Sequence, residues 1–533
     1  ASTPIPTPIY SWIDKLPGEG EEITVDPAEF TLDDNPYGLN VTYYNGIFSR
    51  GFAYITNEET TGTELYVVKS ELGEQADFST ASMIEGRCDL VTMDGRKITM
   101  SSDEKVGEKS KSCDNMNFNS HKAHIENLDK DTVYSYKIGS NGKYAYGVFK
   151  TEVEAPTSIR AIEMSDAQTK DYSKIGVFRN TFKQARLTAG NDLDMILFGG
   201  DLFDQNMSGP SSQSIAKTLR YGKAINSIKD WKTSVPFMTA SGNHEPSFVF
   251  GQYIMNDINY GGIDDEGCYY SYDYGFAHFT VIDTNNISKE DQVNWIKSDL
   301  EAHQDSKWRI VLMHAGCYTT GDHGSKSDNE STTKTLAPVF SQYHVDLALE
   351  AHDHTYSKTL PYKWDAAGYV KKDEATEETI AEVVNKEVQK ETVNELTYDK
   401  NPNGTYYVIT GSAGHRCGAS EAEGAGIYAE VVKNESGEWA PADSQQSFMN
   451  YKYKMELGTL TEETQFEPYT AKNKAGQTVN FAQQYHAGDL ATANPNAQMF
   501  GVLDLTETTL TYKAYAVNDA KVQLFDQLNV LKA

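Results

Sequence analysis

Five short polar clusters, each directly after an apolar run, most constrain what this chain can fold into. They are MSDAQ around Asp166, GGDLFD around Asp201, SGNHE around Asn243, VLMHAG around His314 and EAHDH around His352. Short apolar runs bounded by turn residues are typical of buried strands. Because open α/β sheets bind ligands beyond the carboxyl ends of their strands, we expect the five clusters to meet at one sheet edge.

Helix-like stretches separate these runs, at residues 175–188, 214–231 and 288–302. In the third stretch, Ser288 is the expected N-cap, and Asp291 completes a spacing that resembles a capping box. Strands that alternate with helices are typical of α/β domains, in which helices cover a central sheet. The region after residue 155 is therefore predicted to be an α/β domain.

The first third of the chain has a different pattern. From about residue 40 to residue 150, short alternating stretches are separated by Gly, Asn and Asp turns, which is typical of a β-sandwich. The charged, proline-containing residues 151–158 read as a linker. We therefore predict an N-terminal β-sandwich domain at 1–155, with an N-terminal extension, and an α/β domain at 156–533. The α/β domain has insertions near 365–400, with a surface helix expected over 377–391, and near 434–495.

Composition excludes several classes of protein. The formal net charge of −30 would repel a nucleic-acid backbone, so binding to one through a basic surface is not expected. No run of eighteen apolar residues predicts a transmembrane helix. The polar, proline-rich opening ASTPIPTPIY is what we expect of a chain whose signal peptide has been removed, although an arbitrary chain boundary would look the same. On this interpretation we expect a secreted or cell-surface protein. The five cysteines fit no CxxC metal motif; Cys88 and Cys113 could pair, but spacing alone leaves the connectivity open.

The residue types in the five clusters indicate a metal centre. Two cations about 3.5–4 Å apart can stabilise both the attacking and the leaving oxygen at phosphorus, and they need a shared anionic ligand. Asp201 is the candidate for that bridging carboxylate. Mixed carboxylate and imidazole ligands suit Zn, Fe or Mn better than Ca, so two transition-metal ions are the predicted cofactors.

The order of the motifs resembles the signature of calcineurin-like metallophosphoesterases: an Asp, then GD, GNHE, a strand ending in His, and a GHxH-like pair. The preceding sandwich makes the chain similar to purple acid phosphatases in particular. The resemblance implies a four-layer α/β/β/α domain preceded by an all-β sandwich of the Ig or fibronectin-III kind. It also implies a ligand set. One metal would be bound by Asp166, Asp201 and His354, and the other by Asp201, Asn243, His314 and His352.

The same resemblance assigns two substrate-contacting residues, His244 of GNHE and His323, which lies nine residues after His314. Two positions depart from the family pattern. Asp204 occupies the place of the iron-binding Tyr of purple enzymes, so the iron-tyrosinate colour should be absent, and a structural role in its loop is expected. Gln168 occupies the place where simpler relatives have a ligand His, and it is either a weak ligand or a hydrogen-bonding neighbour of the metal.

The implied activity is hydrolysis of phosphate esters, phosphomonoesters first, by attack of a metal-bound water on a small phosphorylated substrate. His244 or His323 would protonate the departing alkoxide. Two alternatives remain open. One is a phosphodiesterase or nucleotidase, and the other is a non-catalytic surface binding protein on a phosphatase scaffold.

Overall fold

The computed structural model describes residues 32–91, 97–99, 112–114, 118–169, 172–202, 224–245, 258, 269–319, 327–354, 356–364, 388–415, 428–433, 439–441, 469–472, 478–483, 492–493, 498–518 and 521–533. The chain divides into two compact units. The first unit contains Ala1–Glu163 and Ala167–Phe276, and the second contains Met164–Asp166 and Ala277–Ala533. None of the helices in the described ranges is both long and apolar enough to span a membrane.

The first unit begins with two antiparallel sheets, as the alternating pattern predicts. Their strands are β1 (Tyr37–Thr42), β2 (Arg50–Thr56), β3 (Glu64–Lys69), β4 (Ile84–Glu85), β5 (Arg87–Val91), β6 (Lys97–Thr99), β7 (Ser112–Asp114), β8 (Phe118–Ile125), β9 (Val133–Ser140) and β10 (Lys143–Lys150). One sheet has the order β1-β2-β8-β5 and the other β10-β9-β3-β4, while β6 and β7 form a separate ribbon. Side chains that include Val41, Phe52, Leu65 and Ile138 form a common apolar core.

Strands and helices alternate in the rest of the first unit. These elements are β11 (Ile159–Met164), α1 (Tyr172–Ala189), β12 (Met195–Phe198), α2 (Lys229–Lys232), β13 (Phe237–Thr239) and β14 (Tyr270–Tyr274). The strand order β13-β12-β11 places β12 in the middle, and β12 pairs in parallel with β13. All four residues of β12 are buried, as expected of a strand covered on both faces.

Polar groups join the α/β part of the first unit to its N-terminal sheets. The Lys232 ammonium donates to the carbonyl of Leu39 at 2.8 Å and to Asn40 Oδ1 at 2.7 Å. The Tyr136 hydroxyl donates to the Thr233 carbonyl at 3.0 Å. Lys232 is fully buried, and burial holds its pKa well below the usual range. These bonds tie β1 and β9 to the chain around α2.

The second unit contains the remaining elements. These are β15 (Ala277–Ile282), α3 (Glu290–Ala302), β16 (Trp308–Ala315), α4 (Ser327–Gln342), β17 (Leu347–Ala351), β18 (Tyr356–Lys358), β19 (Gln389–Val393), β20 (Leu396–Lys400), β21 (Tyr406–Thr410), β22 (Tyr428–Lys433), β23 (Trp439–Pro441), β24 (Tyr469–Lys472), β25 (Thr478–Gln483), β26 (Thr492–Ala493), β27 (Gln498–Leu505), β28 (Thr509–Asn518) and β29 (Lys521–Leu531). Its strand orders are β15-β16-β17-β21-β18-β26, β27-β28-β29-β20-β19 and β23-β22-β25-β24.

The centre of the second unit is parallel: β16 pairs in parallel with β15 and β17, and β17 with β21. The apolar runs of β16, β17 and β21 are almost entirely buried, and α3 and α4 contribute apolar side chains to the same core. The protein therefore has a mixed α/β fold after an all-β N-terminal region. The carboxyl ends of β16 and β17 lead directly into the His314 and His352 clusters.

Two local expectations were wrong. Helix α3 begins at Glu290 after an N-cap at Lys289 with no side-chain cap bond, so Ser288 is not its cap. Of the helix expected over 377–391, residues 388–391 are described, and 389–391 belong to strand β19 of a hairpin, where Lys390 pairs with Asp399 and Lys400 with Glu391. Residues 377–387 lie outside the described ranges. Of the cysteine connectivities that the sequence left open, those that use Cys88 are excluded, because Cys88 has a free thiol.

Candidate metal centre

In the first unit, Asp201 occupies a turn directly after β12. It is fully buried, and its backbone has a φ of 55°, a conformation that side chains other than Gly rarely adopt. Its Oδ1 accepts the His244 backbone N–H at 2.9 Å. A Cβ atom at Gly242 would lie 2.0 Å from the same Oδ1, so only glycine fits at this point of the SGNHE cluster.

A buried glutamate connects the two clusters. One oxygen of Glu245 accepts the backbone N–H groups of Asp201 at 2.9 Å and Gly242 at 2.8 Å, and the other accepts the N–H of Leu202. The side chain is 1% exposed, so these bonds form away from solvent. The Glu245 carboxylate therefore binds backbone N–H groups of both clusters.

Gln168 and His244 both lie beside Asp201. Gln168 is buried, with a φ of 42°, and its Nε2 lies 3.4 Å from Asp201 Oδ2. An amide binds metal ions through its oxygen, whereas this contact uses the nitrogen. His244 Nε2 is 3.7 Å from the same Oδ2, and the residue is 7% exposed. Asn243, between Gly242 and His244, is exposed.

In the second unit, Asp166 follows β11 and receives several polar contacts. Its Oδ2 accepts from Ser165 Oγ at 2.7 Å and from the His352 backbone N–H at 3.1 Å, and its Oδ1 lies 3.5 Å from His354 Nε2. The Ser412 hydroxyl donates to the Asp166 carbonyl at 2.7 Å. Asp166 is fully buried and has a φ of 51°. These contacts hold the carboxylate beside both histidines of the EAHDH cluster.

His314 and His352 approach each other edge on. His314 is the penultimate residue of β16, and His352 follows the last residue of β17, with a φ of 75°. His314 Nε2 and His352 Nδ1 are 3.2 Å apart, and the rings are inclined at 60°. Two imidazole nitrogens that each bind one ion at about 2.0–2.1 Å, roughly 100° apart, have about this separation. The pair therefore fits a shared transition-metal ion.

Two buried acids lie next to His352 in the sequence, Glu350 and Asp353. Glu350, two residues before His352, accepts the Cys317 backbone N–H at 2.7 Å, and burial raises its pKa well above the usual range. Asp353, 4% exposed, accepts a hydrogen bond from Thr319 Oγ1. Sequence reasoning missed Glu350. Its signal was a carboxylate within an otherwise apolar strand.

The structure thus brings the candidate residues together within each unit: Gln168, Asp201 and His244 in the first, and Asp166, His314, His352 and His354 in the second. Asp201, His314 and His352 are the candidate ligands that side-chain chemistry and burial favour. His323 and Asp204 lie outside the described residues. The roles of all these residues as ligands or substrate contacts stay predictions.

Comparison with known proteins also identifies similarity to metal-dependent phosphoesterases. Residues 161–356 match the family model of the calcineurin-like phosphoesterases. The chain is 29% identical over 242 residues to human acid phosphatase type 7, covering 42% of this chain and 48% of that protein. It is 26% identical over 282 residues to probable inactive purple acid phosphatase 1 of Arabidopsis thaliana, covering 45% and 44%. The chain thus spans about half the length of these relatives.

A solved structure of a purple acid phosphatase from yellow lupin seeds matches with a TM-score of 0.57 and 16% identity. The match covers 94% of this chain and 75% of the lupin chain, and at this identity it shows the fold alone. Proteins of these families use a binuclear metal site. The chain therefore contains a calcineurin-like metallophosphoesterase domain and is similar to purple acid phosphatases in its relatives and its fold.

Proposed function

We propose that the protein hydrolyses phosphate esters at a binuclear metal centre, and that phosphomonoesters are its main substrates. The proposed ligands are Asp166, Asp201, Asn243, His314, His352 and His354, with Asp201 shared between the two ions and Gln168 beside them. Zn, Fe and Mn fit this mixture of carboxylate, amide and imidazole donors. We further propose that residues 1–155 form a fibronectin-III-like sandwich and that residues 156–533 form a four-layer phosphoesterase domain. The proposed location of the protein is secreted or at the cell surface.

The observation that carries the proposal is the geometry around His352. Its ring nitrogen faces that of His314 at 3.2 Å, while its backbone N–H binds the Asp166 carboxylate, which also lies 3.5 Å from His354. The His352 backbone N–H thus holds the Asp166 carboxylate beside His354, while the His352 ring lies against that of His314. Such preorganisation is what a tight metal site requires.

When bound, a two-metal centre supplies a water-derived nucleophile near neutral pH and polarises the phosphoryl oxygens. The protein's own groups do the rest. The His244 backbone N–H donates to Asp201 Oδ1, and this bond fixes the Asp201 carboxylate beside Gln168 and His244. The His244 ring, with its Nε2 3.7 Å from Asp201, is the proposed donor of a proton to the leaving oxygen, and His323 is the proposed second substrate contact.

A second candidate is a binding protein on the same scaffold that no longer catalyses hydrolysis. One similar protein bears the name probable inactive purple acid phosphatase. Gln168 supports the same candidate, because it stands where simpler relatives have a ligand imidazole, and an amide oxygen binds transition metals more weakly. Metal content distinguishes the two candidates: two ions per chain favour the enzyme, and one or none favours the binding protein.

The test combines metal analysis with hydrolysis of an aryl phosphate monoester and an aryl phosphodiester. Wild type is compared with Asp201→Asn and with Asp299→Asn, a buried acid that bonds His278 and Thr280. We expect two metals per chain in wild type, monoester turnover faster than diester turnover, and a loss of at least about 100-fold in Asp201→Asn alone. At most one metal and no turnover of either ester, under metal-replete conditions, would refute the catalytic proposal. Faster diester turnover would move the activity to the phosphodiesterase class.

A further inference from the structure

We infer that Glu245 is a positioning residue that sets the conformation of the Asp201 turn through three backbone hydrogen bonds. The inference rests on the proposed function, because Asp201 is the proposed shared ligand. It assigns to Glu245 neither contact with metal nor contact with substrate. The carboxylate acts only through the chain that presents Asp201 and His244.

The contacts of Glu245 join two segments that are more than forty residues apart in sequence. Asp201 and Leu202 donate their N–H groups from the turn after β12, and Gly242 donates from the turn after β13. The return link is the His244 N–H, which donates to Asp201 Oδ1 at 2.9 Å. The Asp201 main chain and side chain are therefore both bound to the segment 242–245.

Only a carboxylate satisfies this arrangement. The bonds are formed by both oxygens of a side chain that is 1% exposed, and hydrogen bonds to an ionised acceptor are about twice as strong as neutral ones. A glutamine of the same size has one acceptor oxygen, and its NH₂ group would face at least one of the three N–H donors. A buried donor left without an acceptor is costly, so the turn would change its conformation.

Such a change would act on a backbone that is already strained. Asp201 holds a φ of 55°, and conformations of this kind persist only where their surroundings impose them. In this protein the surroundings are the N–H bond to Glu245 and the tight approach of Gly242, which leaves no room for a Cβ. Without Glu245, Asp201 is expected to relax away from the ligand geometry while the rest of the fold remains.

The test measures metal affinity of the full chain in competition with a chelator, together with hydrogen exchange at Asp201, Leu202 and Gly242. In Glu245→Gln, we expect metal affinity to fall about 10- to 100-fold, as for other residues that support ligands, with faster exchange at those three amides. Glu245→Asp keeps a carboxylate on a shorter stem and should restore part of the affinity. Asp299→Asn is the control for general loss of stability and should keep wild-type metal affinity.

The outcomes separate this inference from the proposed function. If wild type binds no metal, the proposed function fails. If wild type binds metal and Glu245→Gln binds it equally well, or loses no more affinity than Asp299→Asn, Glu245 has no positioning role. If Glu245→Gln does not fold, the inference is tested by the metal affinity of Glu245→Asp and by hydrogen exchange at the three amides of wild type. Rapid exchange at the three amides in folded wild type would then overturn the inference.

Discussion

Four of the proposed metal-site residues lie on backbone with positive φ: Asp166, Gln168, Asp201 and His352. Each such residue costs on the order of 1–3 kcal/mol, and strain of this kind concentrates at functional sites. The other non-glycine residues of positive φ in the described ranges are mainly Asn and Asp, which tolerate that conformation best. The exceptions outside the proposed site are His344 and Glu395, and among the four site residues Gln168 is the least usual in this conformation.

Gln168 gives the first prediction at the residue scale. Gln168→His would add an imidazole beside Asp201 at a position where simpler members of the resembled family have a ligand His. Because imidazole binds transition metals more tightly than an amide oxygen does, we expect metal affinity to rise at least about tenfold. Chelator competition measures it. An unchanged or lower affinity would show that the strained backbone directs this side chain away from the metal.

His121 gives a prediction about pH. It is buried between the hydroxyls of Thr56 and Thr63, each 2.7 Å from a ring nitrogen, and burial lowers its pKa to about 4 from an ordinary 6.5. The unfolded chain therefore takes up this proton first as pH falls. The stabilisation is complete above pH 6.5 and is lost on acidification toward pH 4, by up to about 3 kcal/mol.

His121→Gln should remove this part of the pH dependence. Thermal unfolding at pH 7 and pH 4 measures it: the loss of stability on acidification should be smaller in the variant than in wild type. His124→Gln, which replaces another histidine of β8, is the control and should behave as wild type. Equal losses in wild type and His121→Gln would contradict the prediction.

At the scale of elements, β16 is fixed at one end by its first residue and ends in the proposed metal site. Trp308 is fully buried, its Nε1 donates to the Thr506 carbonyl at 2.6 Å, and the Lys532 ammonium lies 4.3 Å from the centre of its ring. Six residues later, the strand presents His314. The position of that imidazole depends on a strand that is packed along its full length.

Trp308→Phe should therefore reduce stability without disturbing the metal centre. Loss of the hydrogen bond and of ring volume is expected to lower the free energy of unfolding by about 1–3 kcal/mol. Metal content should stay at the wild-type value because the change lies at the opposite end of β16. Denaturant unfolding and metal analysis check both parts. Trp295→Phe, on the partly buried face of α3, is the matched comparison and should cost less.

Strands with a strong apolar pattern were predictable from the sequence, whereas the β19–β20 hairpin and the N-cap of α3 were not. The runs that became β11, β12, β13, β16 and β17 stood out because buried parallel strands are almost uniformly apolar. The hairpin of β19 and β20 did not, because alternating Lys and Glu fit an exposed strand as well as an exposed helix. Helix α3 was placed correctly, but its expected capping by Ser288 was wrong.

The candidate site was predictable only in part. Residue type and position after a strand pointed to Asp166, Asp201, His314 and His352, since ligands are usually bound at strand ends. Glu350 and the backbone bonds of Glu245 were not foreseen. Both carboxylates accept backbone N–H groups that lie outside the helices and strands. The spacing of residues in the sequence does not show which N–H groups these are.

At the scale of the whole molecule, the N-terminal sheets supply acceptors that the α/β part needs. The buried Lys232 ammonium is bound by Leu39 and Asn40, and the Asn40 side chain also donates to the Phe237 carbonyl at 3.2 Å. Residues 156–533 expressed alone would lose these partners and leave the Lys232 amino group without these two acceptors. We expect this fragment to unfold non-cooperatively or to aggregate, as measured by circular dichroism and gel filtration, whereas residues 1–533 melt cooperatively. A soluble fragment with a full cooperative transition would contradict this.

The bond between Lys232 and Asn40 also limits how proteins of this architecture can diversify. A recombination event that replaced the N-terminal sheets with an unrelated β-domain would have to bring its own acceptors for a lysine that solvent does not reach. Few donor sequences meet that condition. The N-terminal region and the domain that follows it are therefore expected to pass through evolution as a single inherited block, with new specificity arising within the block rather than by exchange of its parts.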